Sequence, residues 1–297
     1  MTGPATSGPA SPEPARSGSI PASAEPATSG PAPASTETAS SAPAIPEPAI
    51  PELVGPDPIS PEPVSAGPTS TKAARSGPAR VVPDTTRLAT ASLAAGDPTG
   101  WFEQLYAEAG AGTAEVPWDV PRPSKLLAEW ARAAAVVGNG RSALVVGCGL
   151  GRDAEFLAGL GFVTTGFDIA ATAVRTARER HPDSPVDYDV ADLLDLPPRW
   201  HGGFDLVLES NNVQALPKPE RDRAIAAVGT LVAPGGTLLV LAAADTGAVR
   251  VAPPWPLTRA EVDAFASAGL TPIRVEELTD AEDPLVKRWR AEFRAAG

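Results

Sequence analysis

Three alternating glycines and one carboxylate are the residues of this chain whose types and spacing point most directly to chemistry. Gly147-x-Gly149-x-Gly151 closes the apolar run Ala143-Leu-Val-Val146. Asp168 closes the next apolar run, Gly161 to Phe167. Glycines let a ligand approach the backbone, and a loop that opens onto a helix turns N–H groups toward it. Strand, glycine loop, helix, strand and carboxylate together open a nucleotide-binding βαβ unit, with the acid placed for ribose hydroxyls.

Two ligands compete for such a loop. A dinucleotide site takes Gly-x-Gly-x-x-Gly, whose last small residue lets the helix approach the strand. Counted from Gly147, that position is Arg152, a side chain that would obstruct a pyrophosphate. The third glycine stands at 151 instead, which suits S-adenosylmethionine, a ligand with no pyrophosphate. The expected contacts are Gly147, Cys148, Gly149 and Gly151, then Asp168 with Ile169 beside it. Asp192 and Leu193 follow the third apolar segment, where a carboxylate could accept from the adenine amino group. Glu209, Ser210 and Asn211 end a fourth, Phe204-Asp-Leu-Val-Leu-Glu209. Glu209 and Ser210 are candidate contacts for the cofactor, and Glu209 and Asn211 are the acceptor-side candidates. Capping of a following helix by Asn211 or Asn212 is the plainer alternative, and no catalytic base is assigned.

The elements that must position these residues alternate regularly. Strands are expected at 142–147, 162–167, 186–190, 204–209 and 237–243, with helices at 152–160, 170–180 and 218–231 between them. Two late strands, 271–277 and 286–294, have no helix between them and predict an antiparallel pair at a sheet edge. The expected fold is α/β: a Rossmann-like, doubly wound, mostly parallel seven-stranded sheet with an antiparallel last strand. Upstream, helices are expected near 86–95, from Trp101 with Leu105 and Ala109 on one face, and from Ser124 to about Val137 with Leu126, Leu127, Trp130 and Ala134 as the buried stripe. A further capped helix starts near Leu257-Thr258.

Composition bounds the rest. No Phe, Trp or Tyr precedes Trp101, and 19 of the 35 prolines fall in residues 1–85, where Pro-Ala-Thr-Ser-Gly-Pro-Ala occurs at 4–10 and again at 26–32. That segment cannot bury enough apolar surface to offset chain entropy, so a disordered tail is expected over 1–85. The domain is expected over 86–297, as a helical lid (86–138) and a core (139–297). A net charge of −12 gives a nucleic-acid partner no electrostatic support. No run of 18 apolar residues exists, so no membrane span is expected, and the N-terminus has no secretion-signal pattern. A lone cysteine and two histidines outside ligand spacing argue for a cytoplasmic chain without a metal site. A monomer is expected. Cys148 reads as a small residue packed under the loop, Asp205 as structural, and His181 and His201 as surface residues.

The glycine loop, Asp168, Asp192 and the turn Leu231-Val-Ala-Pro-Gly-Gly236 resemble the class I S-adenosylmethionine-dependent methyltransferases over residues 97–294. Val116-Pro-Trp-Asp119, Pro123, Leu126-Leu127, the continuation Arg152-Asp-Ala-Glu-Phe-Leu-Ala158 and Pro253-Pro-Trp255 resemble the thiopurine, thiol and halide branch. This resemblance implies methyl transfer to a small-molecule acceptor, thiol-type in that branch, and places Trp118 and Trp101 as aromatic walls around the cofactor. The chain departs from the branch where Glu209-Ser-Asn-Asn-Val-Gln214 lacks an aromatic and where Val120-Pro121 follows Pro-Trp-Asp. An O- or N-methyltransferase of natural-product or quinone type, or a binding module without catalysis, stays open.

Overall fold

The computed structural model describes residues 83–280 and 283–297. Nearly all of the tail expected over 1–85 lies outside the described residues; its last two positions, Asp84 and Thr85, start a helix.

Seven strands form one sheet: β1 Ser142–Val146, β2 Val163–Asp168, β3 Asp187–Val190, β4 Phe204–Ser210, β5 Val232–Ala243, β6 Leu270–Thr279 and β7 Lys287–Ala295. Their order is β3-β2-β1-β4-β5-β7-β6, with β7 antiparallel to both of its neighbours and the other pairings parallel. This is the expected mostly parallel, doubly wound fold. The late pair is antiparallel and lies at a sheet edge as expected, with β6 outermost: Trp289, Ala291 and Phe293 bury alternate positions of β7 against the core.

The helices are α1 Asp84–Ala94, α2 Gly100–Gly110, α3 Lys125–Ala133, α4 Arg152–Gly159, α5 Ala171–Arg180, α6 Glu220–Gly229 and α7 Arg259–Asp263. Period-two alternation divides the sheet into two cores. Leu144 and Val146 face one side with Val207, Leu238 and Val240. Ala143 and Val145 face the other with Leu206, Leu208 and Leu239. Both faces are apolar because both are covered.

Three boundaries differ from the sequence reading for local reasons. α3 stops at Ala133 rather than Val137, and Ala135 takes φ 47, because the chain must turn onto the α4–β2 corner. There the Gly138 N–H donates to the Leu160 carbonyl at 2.7 Å, and a Cβ on Gly138 would lie 2.2 Å from Gly161. Leu127 and Ala131 are therefore the buried positions of α3, and Ala134 is exposed. β5 starts at Val232, five residues early, since Pro234-Gly235-Gly236 lies within the strand, opposite a register shift between Phe204 and Leu206, rather than preceding it. α7 has the expected capping box, Thr258 with Glu261, but tightens into a 3-10 turn over Ala264–Ala268.

Candidate active site

Ligands in open α/β sheets bind beyond the C-terminal ends of the strands. A cavity of about 890 Å³ lies there, lined by residues from the loops after β1 to β5 and by the segment 117–121. Small-molecule sites span about 300–1,000 Å³, so this one suits a cofactor and an acceptor together.

The glycine loop needs its glycines. Gly147, Gly149 and Gly151 have φ of 55, 54 and 94, values that side chains disfavour. Gly147 and Gly149 line the cavity. Gly151, expected as a ligand contact, does not: it precedes α4, and the Tyr188 hydroxyl sits 2.2 Å from where a Cβ would project. Cys148 lines the cavity and packs under the loop, its Cβ in the space a Gly166 side chain would need. Burial pushes its thiol well above the usual range, which keeps it protonated.

Asp168 is buried at the end of β2 and faces the cavity. Its Oδ2 accepts the Gly149 N–H at 2.9 Å and its Oδ1 accepts the Ala170 N–H at 2.9 Å. Burial raises the carboxyl to about 6 against the pull of these two donors. A carboxylate has about four acceptor positions, so two remain for ligand hydroxyls. Ile169, Asp192 and Leu193 line the same end of the cavity. Asp192 Oδ1 accepts the Leu194 N–H at 2.8 Å, and Oδ2 has no partner among the described residues.

Trp101 and Trp118 both line the cavity, edge to face at 6.4 Å. Trp101 is buried at the start of α2 with Leu88, Ala89 and Leu105, and its Nε1 has no partner among the described residues. Trp118 Nε1 donates to the Tyr106 hydroxyl at 2.8 Å, and that hydroxyl lies 2.9 Å from the Cβ position of Gly149. The 117–121 segment is pinned further by Asp119, which takes both guanidinium nitrogens of Arg180 at 2.6 and 2.8 Å. Tyr106 and Arg180 were not legible as site residues. Tyr106 shares a helix face with core positions, and the Asp119 partner is 61 residues distant. His181, read as a surface residue, also lines the cavity.

At the end of β4 the candidates separate. Ser210 and Asn211 line the cavity; Glu209 does not. Glu209 is fully buried, and its Oε1 accepts the N–H groups of Asn212 and Val213 at 2.7 and 3.0 Å. It holds the 3-10 turn Val213–Ala215 rather than a ligand. The capping role foreseen for Asn211 or Asn212 thus belongs to Glu209. Its Oε2 has no partner among the described residues, and burial raises the carboxyl to about 7. Asn212 donates to the Val146 carbonyl at 2.6 Å, locking the turn beneath Gly147. Asp205, read as structural, joins the starts of β1 and β4 by accepting the Ser142 N–H at 2.8 Å.

The donors and walls fit S-adenosylmethionine. Close-approach backbone at Gly147 and Gly149, a carboxylate with spare acceptor positions, a second acid beside apolar Ile169 and Leu193, and indole faces would hold its amino-acid, ribose, adenine and sulfonium parts in turn. Among the described residues no group of His, Cys, Asp and Glu could hold a metal, and no helix is long and apolar enough to cross a membrane.

Residues 143–236 match the family model described as a methyltransferase domain. A ubiquinone biosynthesis O-methyltransferase of Xanthomonas campestris pv. campestris is 34% identical over 147 residues, which cover 47% of this chain and 61% of that protein. The chain spans less than two thirds of the length of the curated relatives it matches first. A structure described as "Conversion of a Disulfide Bond into a Thioacetal Group during Echinomycin Biosynthesis" is 25% identical with a TM-score of 0.53, covering 66% of this chain and 93% of that one. The N-methyltransferase NodS from Bradyrhizobium japonicum WM9, in complex with S-adenosyl-L-homocysteine, shares the fold: 19% identity, a TM-score of 0.50, 66% of this chain and all of that one. Residues 143–236 are thus similar to methyltransferase domains, and the lining of the cavity fits S-adenosylmethionine.

Proposed function

We propose that the chain is an S-adenosylmethionine-dependent methyltransferase that transfers a methyl group to an oxygen of a small-molecule acceptor. The observation that carries the reading is the lining of the cavity on the β4–β5 side. Ser210, Asn211 and Gln214 offer hydroxyl and amide groups there, among Ala215, Leu216, Pro253 and Pro254. Among the described residues that side holds no histidine, lysine or carboxylate to act as a base. An acceptor oxygen seated there must ionise readily by itself, as a phenol or a carboxylic acid does. The O-methyltransferase relatives support the same choice.

When bound, the cofactor supplies a methyl group on a sulfonium, an electrophile already activated. What remains for the protein is position. Gly147 and Gly149 let the loop approach, Asp168 and Asp192 fix the nucleoside end, and Trp118 with Trp101 exclude water from above. Gln214 Oε1 accepts the Ala243 N–H at 2.8 Å and its Nε2 donates to Asn211 Oδ1 at 3.3 Å, which sets the acceptor wall rigidly. Holding two reactants in line can supply about 7–11 kcal/mol of a barrier.

A sulfur acceptor is the second reading. It is favoured by Trp118 standing over the loop after Pro117, the feature shared with the thiopurine and thiol branch. Incubating the protein with methyl-labelled cofactor and a panel of phenols, thiols, amines and halides tests both. Label in phenols supports the proposal, and label in thiols alone replaces it with the second. Intact cofactor binding with no label anywhere assigns the chain to the non-catalytic binding modules.

A further inference from the structure

We propose that the methyl acceptor carries a carboxylate, and that Arg288 binds it. This rests on the reading of the β4–β5 side of the cavity as the acceptor site.

Among the described residues, three arginines line the cavity. Arg180 is taken by Asp119 through two bonds. Arg152 donates to the Trp118 carbonyl at 3.4 Å and lies 3.7 Å from Asp153. Arg288 is half-buried, and among the described residues it has neither a hydrogen bond nor an ion pair. Removing a guanidinium from water without a partner costs stability, so such a group is poised for a ligand that brings the partner.

Topology puts this cation at the acceptor end. Arg288 pairs with Ala243 at the end of β5, and the Ala243 N–H is the donor held by Gln214. Trp255, directly after Pro253-Pro254, donates its N–H to the Gln214 carbonyl at 2.7 Å. Arg288, Gln214, Pro253 and Pro254 thereby line the same end of the cavity. Asp168 and Asp192 lie at the opposite end, after β2 and β3. At about 4.8 Å per strand, Arg288 on β7 stands about 19 Å across the sheet from Asp168 on β2. The cofactor's own carboxylate belongs with the glycine loop after β1, three strands from β7.

The chemistry selects an oxyanion. A guanidinium matches a carboxylate through two parallel bonds, which fixes orientation as well as charge. The chain carries a net charge of −12, so its overall field repels anions and a local cation is needed to admit one. Arg288 would hold the acceptor by a carboxylate while a separate oxygen faces the methyl group.

The test measures binding and turnover separately. Salicylate, 3,4-dihydroxybenzoate and 4-hydroxyphenylacetate are each paired with the corresponding amide. Affinities come from calorimetry with the full chain and adenosylhomocysteine; turnover comes from labelled cofactor. At least one acid is expected to bind about 10- to 100-fold tighter than its amide. Arg288→Gln should erase that preference, and Arg288→Lys should keep part of it, with adenosylhomocysteine affinity unchanged in both. Equal binding of every acid and amide, binding of none, or an equal loss for both in Arg288→Gln overturns the proposal. Carboxylate-selective binding without methyl transfer to any of them keeps the anion site and overturns the oxygen-acceptor reading instead.

Discussion

The Asp168 carboxylate accepts the Gly149 N–H at 2.9 Å, so the acid that lines the cavity also ties β2 to the glycine loop after β1. The same side chain takes the Ala170 N–H, at the start of α5. One residue therefore shapes the loop and offers acceptors to whatever the loop holds.

Asp168→Ala is expected to damage both functions. Two backbone donors lose a partner and the ligand loses charge-assisted bonds, each worth about 1.5–3 kcal/mol. Affinity for S-adenosylmethionine should fall about 10- to 150-fold, and the thermal midpoint should fall with it. Calorimetric titration checks this; unchanged affinity in a folded variant contradicts the ribose assignment.

Trp118 is held by Tyr106 from below and by its own rigid segment, so its indole face has a fixed direction. A desolvated cation over an indole gains about 2 kcal/mol. Trp118→Ala should weaken S-adenosylmethionine by about 30-fold more than adenosylhomocysteine, which lacks the charge. Fluorescence titration of both ligands measures the difference. Equal weakening would mean that Trp118 only packs.

The central strands β1, β2, β4 and β5 were legible because they are short apolar runs separated by helical periods, a signal carried within each segment. The cavity edge was legible for the same reason: Gly147, Gly149, Asp168 and Asp192 stand where runs end. What escaped depends on contacts between distant segments. Glu209 ends a strand as a ligand residue would, and nothing local distinguishes it from one. Its direction is set by the turn Val213–Ala215, whose N–H groups it satisfies. Gly151 looked equivalent to its two neighbours in the motif, yet Tyr188 from β3 occupies its open side. Tyr106 and Arg288 belong to a helix and a strand whose alternating pattern reports burial, not proximity to a cavity.

Gly151→Ala should therefore be destabilising without touching the ligand. The backbone sits at φ 94, and the new Cβ would lie 2.2 Å from the Tyr188 hydroxyl, which donates to Glu155 at 2.5 Å. Left-handed strain and overpacking together predict a loss of about 2–4 kcal/mol. Gly159→Ala, near the end of the same helix with nothing within 4 Å, should be neutral or stabilising by about 0.5–1 kcal/mol. Urea denaturation of the pair checks the contrast, and similar midpoints for both would refute it.

Glu209 should leave a signature in the pH dependence of stability. Burial raises its carboxyl from an ordinary 4.5 to about 7. Between these values the native state binds more protons than the unfolded chain, so stability falls as pH rises through that window. The contribution is present in full below about 4.5 and is lost by about 7, a change of roughly 3 kcal/mol at most. Asp168, raised to about 6, adds a slope of the same sign. Glu209→Gln keeps an oxygen for the Asn212 and Val213 N–H groups but cannot ionise. The variant should gain stability relative to the parent between pH 5 and pH 8, while the Asp168 slope persists in both proteins. Urea unfolding at the two pH values measures this. An identical stability difference at pH 5 and pH 8 would show that the Glu209 carboxyl titrates alike in the folded and unfolded chain, and would overturn the burial argument.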